Sequence, residues 1–314
     1  MNIYKNLLTL ALIFSLLLIA LHDTPAQSNR DLLGVIDIHA HADPDSMARS
    51  IDVIDLARKA QAEGMRGLVI KNHFTPTAGY AFLARKLVAG IELFGGVVLN
   101  RSVGGINPVA VESMSTVKGG YGRVVWMPTF DAENEVRFFK ANRPFVCVAE
   151  QGRLRPEVKE VLRIIAQKNL VLATGHSSPQ EALLLVRAAR DAGVRHMVIT
   201  HAMLDPVDMS IERQKEAAAA GAFIEHVFQG TLPPLPTVSS MPSRKKVTIQ
   251  QYASAIKAVG AEHCILSSDL GQAGNPLHTE GLRSFILQLK AEGITDREID
   301  LMARKNPARL LGLQ

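Results

Sequence analysis

Eight short apolar runs, each followed by a segment with helical patterning, constrain this chain more than any other feature. The runs are Gly34–His41, Arg66–His73, Gly95–Asn100, Arg123–Thr129, Leu170–His176, His196–His201, Ala222–His226 and Cys264–Asp269. They are apolar at successive positions, as expected of parallel strands covered on both faces. Helical spacing fills Ser50–Glu63, Pro156–Lys168, Pro179–Ala192, Ile211–Ala220 and Ile249–Val259. Gly64, Gly193, Gly221 and Gly260 stand where such helices should stop, just ahead of the next strand. Eight strand–helix units predict an α/β fold, a single-domain (β/α)8 barrel of the TIM type. The competing doubly wound sheet wants a glycine-rich phosphate turn after its first strand, and this chain has His-Ala-His-Ala-Asp-Pro there.

Two connections are long. Thr129 to His176 has room for an extra hairpin, with Pro144–Ala149 and Leu154 as candidates. Gln229–Lys246 carries Pro233, Pro234, Pro236 and Pro242 and reads as a functional loop, placed like a lid at the carboxyl end of a strand.

The amino terminus reads as an address. Lys5 precedes an apolar run, Leu7–Leu21, too short to span a bilayer, and Thr24-Pro25-Ala26 follows with small residues at the cleavage positions. Residues 1–26 are therefore expected to be a secretory signal peptide and 27–314 the barrel. The exported protein is expected in the periplasm or outside the cell, with no stable membrane insertion once the signal is removed. Cys147 and Cys264 are the two cysteines; both sit among apolar residues and read as free thiols. The net charge of +5 includes one dense basic run, Arg244-Lys245-Lys246, without an aromatic neighbour. Nucleic-acid binding, which needs a concentrated basic face, is not expected. A small-molecule substrate is.

Ten histidines against two cysteines point to imidazole and carboxylate chemistry. Asp37, His39 and His41 lie two apart and so share a strand face, where two imidazoles can converge on one cation. The fifth run ends in His176, the sixth in His201 and the eighth in Asp269. One strand-terminal histidine is usually a packed structural residue. Five ligand-capable groups at the same ends of four strands, where barrels keep their chemistry, point to a metal centre. His-rich ligation favours zinc among divalent ions.

Asp37-Ile38-His39-Ala40-His41, His176, His201 and Asp269 resemble the metal-site pattern of the amidohydrolase superfamily, and Asn306–Leu313 is similar to that superfamily's last helix. The resemblance spans residues 34–313. It implies a metal-dependent hydrolase holding one or two ions. His39 and His41 would bind the more buried ion, and His176 and His201 would complete the site. Asp269 would ligate metal and carry a proton from water to the leaving group. The departure is at the fourth strand, which ends in Met127-Pro128-Thr129 where many members carry a carboxylated lysine. The second strand instead ends in Lys71-Asn72-His73. Lys71 can be a carboxylated metal bridge, a clamp for a substrate anion or a proton donor. His73, Glu225, His226 and His278 are candidate substrate contacts, although only one of the consecutive Glu225 and His226 can face the mouth.

No Gly-x-Ser-x-Gly elbow and no phosphate-cradling Gly-Lys-Thr turn is present, which disfavours serine-hydrolase and nucleotide-driven chemistry. The expected reaction is cleavage of an amide, cyclic amide, lactone or related ester by metal-activated water. The alternatives are a non-catalytic metal- or solute-binding barrel and a metal-dependent phosphoesterase.

Overall fold

The computed structural model describes residues 31–233 and 245–313. The expected signal segment and most of the proline-rich loop lie outside the described residues. The chain begins with β1 (Ile36–Ala40), α1 (Val53–Ala62), β2 (Gly67–Ile70), α2 (Ala78–Leu87), β3 (Glu92–Val98), α3 (Pro108–Ser115), β4 (Gly122–Trp126) and α4 (Glu133–Phe138). A two-residue hairpin, β5 (Ala149–Glu150) and β6 (Arg153–Leu154), interrupts the alternation. It resumes with α5 (Pro156–Gln167), β7 (Val171–Ala173), α6 (Pro179–Asp191), β8 (His196–Ile199), α7 (Ile211–Ala219), β9 (Phe223–Val227), α8 (Ile249–Val259), β10 (Cys264–Ser267) and α9 (His278–Ala291). The short α10 (Asp296–Asp300) and α11 (Asn306–Leu310) close the order, separated by a π-helical turn at Leu301–Lys305.

Eight parallel strands pair in the order β1-β2-β3-β4-β7-β8-β9-β10. Ala40 bridges Leu270 in parallel, and the amides of His41 and Asp269 donate to Leu270 O and His39 O at 2.9 Å, which brings the last strand back to the first. The result is the expected barrel. All eight predicted runs contain or overlap a barrel strand, and the five predicted helices are present. The four glycine stops take φ between 76° and 99°, a region that costs other residues energy. The extra hairpin is present but shorter than expected, because only Ala149 and Glu150 pair with Arg153 and Leu154.

Side-chain alternation divides the core into two layers. Val69, Val124, Val171, Ala173, Phe223 and Ile265 pack with Ile36, Phe94, Trp126 and Val198 in one buried cluster, closed by Ala308, Leu310 and Leu311 of α11 and its end. Their strand neighbours Leu68, Ile70, Val125, Leu172, Ile224 and Leu266 belong to the larger cluster shared with the helices. The pairing register shifts in β1 between Asp37 and Ala40. Asp37, at the start of that shift, is engaged with the backbone. Its Oδ1 accepts from the amides of His39 (3.1 Å) and Ser268 (3.0 Å), tying β1 to the segment after β10. Burial pushes its carboxyl up to about 6.

Helix ends are set by local chemistry. Asp52 caps α1 by accepting from the amides of Ile54 and Asp55, and Ser178 with Glu181 forms a capping box on α6. Both cysteines are free; Cys264 is buried, whereas Cys147 is only half-buried. Among the described residues no helix is long and apolar enough to cross a membrane.

Candidate metal centre

The carboxyl ends of the strands gather a closed ring of five imidazoles. Ring centres are 5.3 Å apart for His39–His41, 4.8 Å for His41–His73, 6.5 Å for His73–His176, 4.9 Å for His176–His201 and 6.0 Å for His201–His39. All five are buried. His73, expected as a substrate contact, is thus a member of the ring. Trp126, from the inner layer of β4, lies 6.5 Å from His39. Phe130 packs 4.1 Å from His73 and 5.8 Å from His176 and supplies an apolar wall.

Asp269 enters the ring from the segment after β10. Its Oδ1 is 3.0 Å from His39 Nε2 and 3.1 Å from His41 Nε2, and these three residues offer ligand atoms within 4.8 Å of one another. Asp269 adopts φ 51° and His201 φ 27°, left-handed backbone that non-glycine residues enter at a cost and that recurs at functional sites. Asp269 is held there by its own amide on His39 O and by Gln272 Nε2 donating to its carbonyl at 2.8 Å.

Glu225 faces the ring and His226 does not. The Glu225 carboxylate meets His39 Nδ1 at 3.1 Å and accepts from the His201 amide at 2.8 Å, and so backs two of the imidazoles. His226 points the other way, with its ring 5.3 Å from Tyr252 of α8, and is fully buried. His278 is also fully buried, at the start of α9 beside the backbone carbonyls of His41 and Leu270. Burial lowers both rings to about 4 and keeps them neutral. Neither is brought to the mouth: strand alternation turns His226 outward, and the turn into α9 buries His278.

Lys71 is in the ring, its Nζ 2.8 Å from His39 Nε2 and 5.6 Å from the centre of the Trp126 ring. His73 Nδ1 lies 2.9 Å from Thr129 Oγ1, which in turn accepts from Asn100 Nδ2 at 2.8 Å. The end of the fourth strand therefore orients an imidazole where a lysine ligand was missed. Arg155 is paired with Glu150 and Glu157 at the surface. Arg49, which sequence reading passed over, is buried on Asp45.

The electrostatics of the centre divide the histidines. Burial opposes charge on His39, but the Asp269 carboxylate overcomes it, with Glu225 adding, and the ring is pushed up to about 9. Burial holds His41, His73 and His201 well below the usual histidine range. Asp269 is held well below the usual carboxylate range: burial works against its charge, and His39 and His41 outweigh it.

These residues fit a divalent cation. His39 Nε2 faces both the Asp269 oxygen and the Lys71 ammonium, and its one lone pair or one proton cannot serve both. A cation at that point satisfies the two imidazole nitrogens and the carboxylate together. His41 Nδ1 and His201 Nδ1 are further buried nitrogens without a hydrogen-bond partner. The donor set of nitrogens and a carboxylate is the one zinc and its neighbours take.

Residues 34–225 match the model of a family described as "Family of unknown function (DUF6282)". The chain belongs to that family. No curated protein matches this DUF6282 member. Solved structures share its barrel. An amidohydrolase from Pseudomonas aeruginosa superposes with a TM-score of 0.60 at 12% identity, covering 92% of this chain and 98% of its own. An organophosphorus hydrolase from Deinococcus radiodurans gives 0.58 at 16% identity over 89% and 93%. A resiniferatoxin-binding protein from Rhodobacter sphaeroides gives 0.62 at 15% identity over 90% and 91%. At these identities the likeness is one of fold.

Proposed function

We propose that this chain is an exported, metal-dependent hydrolase that cleaves an amide, cyclic amide, lactone or related ester bond of a small molecule. The observation that carries the reading is the convergence of His39 Nε2, His41 Nε2 and Asp269 Oδ1 in a buried ring of imidazoles at the strand ends. Hydrolases among the proteins that share the barrel support it, as does the presence of an acid–base group inside the ligand set. A silent binding barrel has no use for the latter. Export rests on the amino-terminal pattern of Lys5, the apolar run and Thr24-Pro25-Ala26.

His39, His41 and Asp269 would hold the ion, with His176 and His201 completing the site. A bound divalent ion supplies Lewis acidity and brings the pKa of water down towards about 7. Asp269 does the proton work. Its carboxylate, charged at neutral pH, takes a proton from the attacking water at one oxygen and returns it to the departing nitrogen or oxygen. Glu225 fixes His39 with the proton on Nδ1, leaving Nε2 to ligate. Phe130 keeps bulk water from one side of the site.

Lys71 enters this reading as a carboxylated lysine. Its ammonium first gives up one proton to become an amine, the amine takes up carbon dioxide with loss of a second proton, and a cation beside His39 becomes an anionic ligand. That change removes the conflict between an ammonium and a metal at the same nitrogen. It also provides from the second strand what the fourth lacks.

Chelation and reconstitution test the function. Metal-free protein should lose hydrolysis of a responsive ester or lactone and regain it with zinc. A metal-free protein that turns over at the full rate refutes the reading.

A further inference from the structure

The segment after β4 supplies no lysine, but it does supply a carboxylate. Glu135, in the first turns of α4, is buried, and its Oε2 lies 2.9 Å from Nδ1 of the equally buried His176. An ionised carboxylate only accepts, so with Glu135 charged His176 carries a proton on Nδ1, and in its neutral form the lone pair is on Nε2. The same logic holds on the other side of the ring, where Glu225 meets His39 Nδ1. Two histidines, one in β1 and one after β7, are thus backed by two carboxylates from different segments.

The backbone around His176 is fixed by the same helix. Asn134, next to Glu135, donates from Nδ2 to His176 O at 3.0 Å and to Pro206 O at 2.9 Å. The His176 amide donates to Pro128 O at 2.9 Å. Gly175 takes φ +60°, and a Cβ there would lie 2.2 Å from Met127 O. One short helix therefore holds both the main chain and the ring of His176. A surface helix start rich in Asp and Glu is ordinarily a solvated cap; here the second glutamate turns inward.

We propose that Glu135 is the positioning residue of His176: it selects the tautomer that presents Nε2 and raises the basicity of that nitrogen towards a divalent cation. The proposal rests on the reading of His176 as a metal ligand. Carboxylates in this position typically contribute about 10–100-fold in metal affinity.

The test uses the full chain with histidine labelled by nitrogen-15, read first without metal and then titrated with cobalt(II). Wild-type protein should show the His176 proton on Nδ1. In Glu135→Leu, which keeps volume but has no acceptor, that tautomer should be lost and cobalt affinity should fall by about 10–100-fold. Glu135→Gln should keep the tautomer through its amide oxygen and bind more weakly than wild type, but more tightly than the leucine variant. A group that merely fills space would leave the tautomer unmoved. An Nε2 proton in the wild type overturns the proposal, and so does cobalt affinity within about twofold of wild type in both variants. Should the leucine variant fail to fold, unchanged affinity in the glutamine variant overturns it alone. If the wild type takes up no cobalt, the metal reading fails, and the tautomer of Glu135→Leu still decides the role of Glu135.

Discussion

Metal binding to this centre must displace a proton, and the proton is on His39. The ring is pushed up to about 9 because Asp269 and Glu225 hold its charged form against the cost of burial. His41 and His201 are already neutral at pH 7, and Asp269 is already ionised. Binding of one divalent ion through His39 Nε2 at neutral pH should therefore release close to one proton from the histidines, in addition to those that carboxylation of Lys71 releases. Its apparent affinity should rise about tenfold per pH unit up to about pH 9, roughly 100-fold from pH 7, at about 1.4 kcal/mol per unit. Calorimetric titration with zinc in buffers of different ionisation enthalpy counts the proton. Without metal the sign reverses. A raised histidine contributes stability that is complete below the unfolded value of about 6.5 and is lost as pH climbs through about 9. The loss is on the order of 3 kcal/mol, or roughly 5–10 °C in Tm for a chain of this size. Asp37 is charged above about 6, and the depressed histidines are neutral throughout, so neither contributes in that window. Asp269→Asn should lower the His39 value and reduce both effects. No proton release, with an affinity flat from about pH 6 to 8, refutes the assignment of His39 as the displaced site.

Asp269→Asn should cut turnover by about 10²–10⁴-fold while the protein keeps much of its metal; elemental analysis beside a rate assay checks this, and turnover close to wild type sinks the proton-shuttle role. Gly175→Ala should cost on the order of 1–3 kcal/mol in urea unfolding, because φ +60° and the carbonyls of Met127 and Pro128 leave no place for a Cβ. It should also weaken metal uptake by displacing His176, and a stable variant with wild-type uptake contradicts the packing argument. Lys71→Met should abolish any dependence of metal loading on bicarbonate. Wild-type protein depleted of carbon dioxide should load less metal until bicarbonate is restored; indifference to bicarbonate in the wild type removes the carboxylated lysine.

What sequence conveyed about this barrel follows from which interactions are periodic. Strands buried on both faces, such as Val124–Trp126 and Cys264–Leu266, announce themselves as apolar runs, and glycine stops announce the helix ends. The ligand-capable groups were legible for the same reason: a histidine or aspartate that closes an apolar run has a place assigned by the run. Glu225 and His226 show where that rule stops. Alternation says that one faces inward, but the choice depends on the phase of β9 against β8 and β10, which only pairing fixes. Glu135 was invisible on different grounds. It lies in Asp131-Ala132-Glu133-Asn134-Glu135, an acidic helix start indistinguishable from a solvated one. Its burial depends on how α4 folds back over the end of β4. The contact between Glu135 and His176 joins residues 41 positions apart. Residues that stand behind ligands follow no strand period and need no particular spacing, so sequence patterning finds the groups that would face the ion and misses those that aim them.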